Sequence, residues 1–191
     1  MAEKQSKNKW HTPAELIMML GFAAVILLGT ILLCLPVSAA DGKSVYWLDA
    51  LFTATTSVCV TGLVTVPTAT TWSTFGKIVI LGLIQFGGLG IMACLTMVFL
   101  ILRRKISLQS RKLIQDTYNL PVLKGSVGIV RKLLIGTAAV ELAGAFFYSF
   151  WFVPEYGFWN GIGYSLFHSV SAFCNAGFDL MGSEVPYSSL T

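Results

Sequence analysis

At 191 residues, 55% hydrophobic and 12% charged, with a mean hydropathy of +0.74, the chain is too apolar for a soluble globular domain, where roughly a quarter of residues carry charge. Its net charge of +4 sits in segments that flank apolar runs, so it reports membrane topology and argues against nucleic-acid binding.

Residues 16–35 form the first apolar run, 20 residues without a charge, bounded by Pro13, Glu15 and Pro36. About 20 residues cross ~30 Å of hydrocarbon, so a spanning helix is predicted. A secretory signal has a shorter apolar stretch of about 7–15 residues, which sets aside Ser38-Ala39-Ala40 as a cleavage site. Residues 78–102, 25 without a charge, predict a second span that stops at Arg103-Arg104-Lys105. Residues 133–153, interrupted only by Glu141, predict a third. Lys4, Lys7 and Lys9 precede the first span, and eight basic residues from Arg103 to Lys132 separate the second from the third. Only Lys43 and Lys77 lie between the first and second, so the positive-inside rule places the N-terminus and the 103–132 segment in the cytoplasm.

Residues 45–57 and 159–173 are moderately apolar but only 13 and 15 residues long, and both fall on the outer side. A 13-residue helix reaches about 20 Å, so each is predicted to dip into the membrane and return. The returns, over 58–63 and 174–178, are non-helical backbone at membrane depth, tolerated only where protein buries it or water lines it. The two segments echo one another. Leu51-Phe52 through Cys59 to Gly62 recurs as Leu166-Phe167 through Cys174 to Gly177, at one offset of 115 residues, with four of thirteen aligned positions identical. The offset also carries the first span onto the third, so two crossings separate equivalent points and both turns face one side. Carbonyl rings from such turns are how cation filters replace a hydration shell, and helix C-termini aimed inward favour a cation.

Thr56-Ser57-Val58-Cys59-Val60-Thr61-Gly62-Leu63, Phe75-Gly76, Gln85-Phe86-Gly87-Gly88-Leu89-Gly90 and Ser171-Ala172-Phe173-Cys174-Asn175-Ala176-Gly177-Phe178-Asp179 follow in that order. Together they resemble the Trk/Ktr/HKT superfamily of potassium transporters, most closely the Ktr-type membrane subunit, over nearly the whole chain. The resemblance implies an all-α integral membrane protein of repeated membrane helix, pore helix, filter turn and membrane helix units, like a two-pore-domain potassium channel. It implies four units in one polypeptide, each donating one filter glycine to a single pore, and Gly62 and Gly177 match the first two. The expected organisation is a cytoplasmic tail (1–13), a first unit (14–103), a cytoplasmic loop (104–130) and a second unit (131–191). The chain stops 14 residues after Gly177, so it is read as the N-terminal half of a longer protein, its second unit lacking the returning helix. The alternative is a truncated, non-conducting scaffold or assembly protein.

Within the turns, Gly62 and Gly177 permit dihedrals closed to other residues and let carbonyls crowd an ion. The carbonyls of Val58, Cys59, Val60 and Thr61, and of Phe173, Cys174, Asn175 and Ala176, are the expected K+ ligands. Side chains differ between the copies, as they are free to do when main-chain oxygens coordinate. Cys59 and Cys174 lack the CxxC spacing and further ligands of a metal site. No cofactor is expected beyond the transported K+, with Na+ coupling left open. Thr55, Thr56 and Ser57 end the first pore helix, where hydroxyls either bond local backbone or face the ion path. Asp179 either caps the following turn or gathers cations at the outer mouth, and Asp49 reads as a dipole-favoured residue near a helix N-terminus. Glu141 lies near mid-membrane, where an ionisable group is functional by default. Its main reading is a hydrogen bond to a neighbouring helix or subunit, with proton or ion coupling as the alternative.

The glycines at 87, 88 and 90 do not form GxGxxG and follow no strand, so they read as allowing close packing of filter against span, and bending. Residues 106–119 suggest an amphipathic cytoplasmic helix ended by Pro121. The resemblance implies that this segment meets a cytosolic nucleotide-binding regulatory ring, while a helix resting on lipid fits the pattern as well. No nucleophile–base set, metal cluster or phosphate loop points to an enzyme. The resemblance further implies a homodimer in a bacterial cell membrane that moves K+ inward down its electrochemical gradient, ~2.3 kcal/mol per charge per 100 mV.

Overall fold

The computed structural model describes residues 14–90, 93 and 126–181. Among them stand six α-helices: α1 (Ala14–Cys34), α2 (Trp47–Val58), α3 (Thr68–Thr71), α4 (Thr74–Leu89), α5 (Ser126–Tyr156) and α6 (Phe158–Phe173). A 3-10 turn, Pro36–Ser38, follows α1, and the described residues hold no strand beyond an isolated Ala39–Trp72 bridge. α1, and α5 over 133–153 apart from Glu141, are apolar on all sides rather than along one stripe, the pattern of a helix surrounded by other apolar material. Ile31 and Leu28 on α1, and Phe147 and Trp151 on α5, are largely exposed.

α1 has 21 residues, about 32 Å, and ends where Pro36 forbids continuation. Ser38 Oγ donates to the Leu32 carbonyl at 2.6 Å, satisfying one of the acceptors freed at that end. Ser73 starts α4 by accepting from the Gly76 N–H at 3.2 Å, and its hydroxyl donates to the Val37 carbonyl at 2.6 Å. The end of α1 is thereby tied to the start of α4. Trp72, only 1% exposed, packs between them with Leu33, Ala50, Ala54, Ile80 and Ile84.

The second hairpin closes more tightly. Gly157 (φ 79) alone separates α5 from α6, and a methyl built on Gly161 would stand 2.5 Å from the Val153 Cα, so only glycine admits this approach. Phe152 stacks on His168 at 4.8 Å, and Tyr156 meets Tyr164 at 4.9 Å.

Two expectations change. The sequence predicts one uninterrupted span over 78–102, whereas α4 begins at Thr74 and stops at Leu89, with Gly90 at φ 81. At 16 residues α4 is about 24 Å long, short of a full crossing. An unbroken apolar run says nothing against a helix, but a positive φ at Gly90 cannot be continued as one. α5 starts at Ser126, inside the predicted 104–130 loop, and runs to Tyr156 through Pro154. Its Val127–Tyr156 portion, in which an 18-residue stretch has a mean hydropathy of 1.6, is long and apolar enough to cross a membrane. The predicted amphipathic helix over 106–119, the N-terminal tail and the last ten residues lie outside the described residues.

Candidate ion-binding site

α2 and α6 end on the same backbone pattern 115 residues apart. Cys59 (φ −81, ψ −3) and Cys174 (φ −75, ψ −5) close the helices in the right-handed region. Val60 (φ 56) and Asn175 (φ 58) then turn left-handed, as do Gly62 (φ 72) and Gly177 (φ 70). The Val60 N–H donates to the Ser57 carbonyl at 3.3 Å and the Asn175 N–H to the Ala172 carbonyl at 3.0 Å. The Thr61 N–H donates to the Thr56 carbonyl at 3.0 Å and the Ala176 N–H to the Ser171 carbonyl at 2.7 Å. These are the 5→2 and 6→1 bonds of a Schellman motif, which satisfy carbonyls orphaned at a helix end. Glycine normally takes the left-handed position; asparagine tolerates it, whereas a β-branched valine is strained there by about 1–2 kcal/mol.

Hydroxyls at aligned positions brace both turns. The Leu63 N–H donates to Thr56 Oγ1 at 3.0 Å, and Ser171 Oγ donates to the Phe178 carbonyl at 2.9 Å, so the same crossing is made with reversed polarity. Thr56 Oγ1 also bonds Thr61 Oγ1 at 2.5 Å. Thr55 and Ser57 donate to the Leu51 and Thr53 carbonyls at 2.7 and 2.6 Å, so all three hydroxyls of the first helix end act on local structure.

The two turns touch. A methyl on Gly62 would collide with the Ala176 carbonyl oxygen and stand 3.1 Å from the Gly177 Cα, and one on Gly177 would stand 3.6 Å from the Gly62 Cα. α4 lies against both. A methyl on Gly87 would collide with the Val58 carbonyl oxygen and stand 2.9 Å from Val60 Cγ2, and one on Gly88 would stand 2.8 Å from Cys174 Cβ. The close packing expected of the 85–90 glycines is therefore what they provide, with the helix break falling at Gly90.

The predicted site residues are thus gathered at one place, though not all alike. Val58 is 2% exposed and remains helical, its carbonyl set against Gly87, while Phe173 is the last residue of α6. Cys59, Thr61, Asn175 and Gly177 are exposed, whereas Gly62 and Ala176 are buried where the turns meet. Asp49 stands in the first turn of α2. Asp179 caps its own turn, Oδ1 accepting from the Met181 N–H at 2.5 Å. The same oxygen lies 3.6 Å from His168 Nε2. His168 carries no signal in the linear sequence: its Nδ1–H donates to the Tyr164 carbonyl at 2.8 Å, and Nε2 accepts from the Leu180 N–H at 3.3 Å, which fixes the tautomer and tethers the chain beyond the second turn. Glu141 does bond a neighbouring helix, through Gln85 on α4. Gln85 figures in the sequence only as part of the glycine motif, and nothing in a linear pattern pairs it with a residue 56 positions away.

Chemically, two helix C-termini, each worth about half a negative charge, end beside adjoining turns that carry main-chain carbonyls. That combination suits a cation that sheds water for carbonyl oxygens.

Comparison with known sequences agrees with this chemistry. The family described as TrkH, cation transport protein, matches residues 6–188. The chain is 43% identical over 180 residues to the Ktr system potassium uptake protein B of Bacillus subtilis, covering 93% of this chain and 40% of that protein. It is 41% identical over 182 residues to the potassium/sodium uptake protein NtpJ of Enterococcus hirae, covering 95% of this chain and 40% of that one. A Ktr system potassium uptake protein B of Vibrio alginolyticus is 36% identical over 182 residues, covering 95% and 39%. The chain spans about two fifths of the length of the curated relatives it matches. With nearly all of its length inside the family match, the chain belongs to the TrkH family of cation transport proteins and is a membrane protein.

Proposed function

We propose that the chain forms part of the pore of a potassium uptake protein, in which the facing turns contribute main-chain carbonyls to a K+ path. The observation that carries this reading is the contact between Gly62 and the Ala176–Gly177 backbone, which joins two identically folded helix ends. Cys59, Val60, Thr61 and Gly62 supply the first set of oxygens and Cys174, Asn175, Ala176 and Gly177 the second, with Val58 and Phe173 at the helix ends beneath them. Support for potassium as the ion comes from the relatives, named for potassium or potassium/sodium uptake. α2 and α6 are proposed to be re-entrant pore helices, with the N-terminus and the 104–130 loop cytoplasmic. Assembly as a homodimer, a nucleotide-binding cytosolic partner and sodium dependence belong to the same proposal and rest on the family resemblance.

The reading is tested by expressing the full-length protein in bacteria that lack their own potassium uptake and measuring rubidium uptake with and without competing sodium. Wild type should restore uptake, and Gly62→Ser and Gly177→Ser should lower both the rate and the preference for K+ over Na+. Unchanged preference in both variants would sink the assignment.

A further inference from the structure

Glu141 on α5 is 6% exposed, and both its carboxylate oxygens accept from one group, the Gln85 side-chain amide on α4, at 2.9 Å each. The other end of that amide meets the second turn: Cys174 Sγ donates to Gln85 Oε1 across 3.6 Å. The Cys174 side chain fills the notch left by Gly88, three residues along α4 from Gln85 and so on the same face. A chain of polar contacts therefore runs from α5 through α4 to the residue that closes α6. Beside it Ser169 Oγ donates to the Glu141 carbonyl at 2.6 Å, so α6 is held to α5 at the same level.

The chemistry of the groups sets the order of donors. Both Glu141 oxygens stand within hydrogen-bond reach of Gln85 Nε2, which has protons to give, and this leaves Gln85 Oε1, an acceptor only, facing the thiol. Glutamine at 141 would keep one acceptor oxygen and put a donor in place of the other, so Gln85 Nε2 would lose one of its two partners. Burying a carboxylate is expensive unless it is hydrogen-bonded, and the first copy manages without one: its aligned residue is Ile26, and its aligned cysteine, Cys59, is exposed. The device serves the second turn only.

We propose that Glu141 is a positioning residue for ion discrimination, which acts through Gln85 to hold Cys174 in the Gly88 notch and so fixes the second turn's carbonyls against those of the first. This rests on the reading of the facing turns as an ion path. The test uses the full-length protein in the same uptake-deficient bacteria, with rubidium and sodium uptake and membrane abundance measured for each variant. Glu141→Gln and Gln85→Leu are each expected to lower the rubidium-to-sodium ratio about fivefold, the worth of one net hydrogen bond, at unchanged abundance. The double variant should be no worse than Gln85→Leu alone, because both act through one amide. Glu141→Asp, which keeps charge and acceptors, should recover part of the ratio. A packing role alone lowers abundance or total uptake and leaves the ratio intact, and that result overturns the proposal. Gly177→Ser separates the two layers: if it changes the ratio while Glu141→Gln and Gln85→Leu do not, positioning is wrong and the ion path stands. If none of the three changes it, both are wrong. Maleimide labelling of Cys174 in the full-length protein, with every other cysteine replaced by serine, Cys34, Cys59 and Cys94 among them, gives a readout independent of transport. Labelling should quicken about fivefold in Gln85→Leu as the thiol leaves its notch, and an unchanged rate overturns the proposal.

Discussion

Thr56 in the first hairpin and Ser171 in the second sit 115 residues apart and hold the same turn, yet the helices behind them are joined in different ways. α1 reaches α2 through residues 35–46, with a 3-10 turn and a bridge to Trp72, while α5 reaches α6 across Gly157 alone. The first turn is braced from within by Thr56, Thr61 and Leu63. The second adds to its own Ser171 crossing a contact from outside, Gln85 on α4, while His168 accepts from the Leu180 N–H and Asp179 from the Met181 N–H after it. The shared part is the backbone of the turn, and the supports differ, which is what duplication followed by independent repacking leaves behind.

Substitutions at aligned positions therefore should not be equivalent, and the largest difference is expected at the glycines. Gly62→Ala adds a methyl against a backbone oxygen as well as left-handed strain, so rubidium uptake should be abolished. Gly177→Ala adds the strain, about 1–2 kcal/mol, with its nearest neighbour at 3.6 Å, so measurable uptake should remain. Equal loss in both would break the comparison. Next come the hydroxyls. Thr56→Val loses two hydrogen bonds and should destabilise the detergent-solubilised protein by about 2 kcal/mol, against about 1 kcal/mol for Ser171→Ala, read from thermal unfolding midpoints. The smallest effect is at the left-handed residues: Asn175→Val should cost about 1 kcal/mol, because Asn175 is exposed and valine gains no packing there to offset the strain that Val60 already bears. A neutral Asn175→Val would mean that the two turns differ in backbone despite their matching dihedrals.

Much of this is legible in the linear chain because its causes are local. The sequence places α2 over 45–57, and it spans Trp47–Val58; it places α6 over 159–173, and that helix spans Phe158–Phe173. Gly62 and Gly177 announce left-handed turns, and the 115-residue offset announces that there are two. The break in α4 is harder to see: the uncharged run continues past Gly90, and apolarity masks a conformational stop. The pairings that escape a linear reading are those between distant residues, such as Cys174 with Gln85, 89 positions apart. Glutamine, glutamate and cysteine carry no spacing signal when they sit on three separate elements.

Composition, the periodless apolar runs and the repeat determined by themselves that the chain is a helical membrane protein with two copies of one turn. Those properties follow from solvent preference and from φ/ψ restriction, which act residue by residue. The tertiary structure alone decided that Gly62 lies against Ala176, that Gly87 and Gly88 seat both turns on α4, and that Glu141 reaches the second turn through Gln85. Contacts of that kind depend on how close two backbones can come, and that distance is set by packing among helices far apart in the chain.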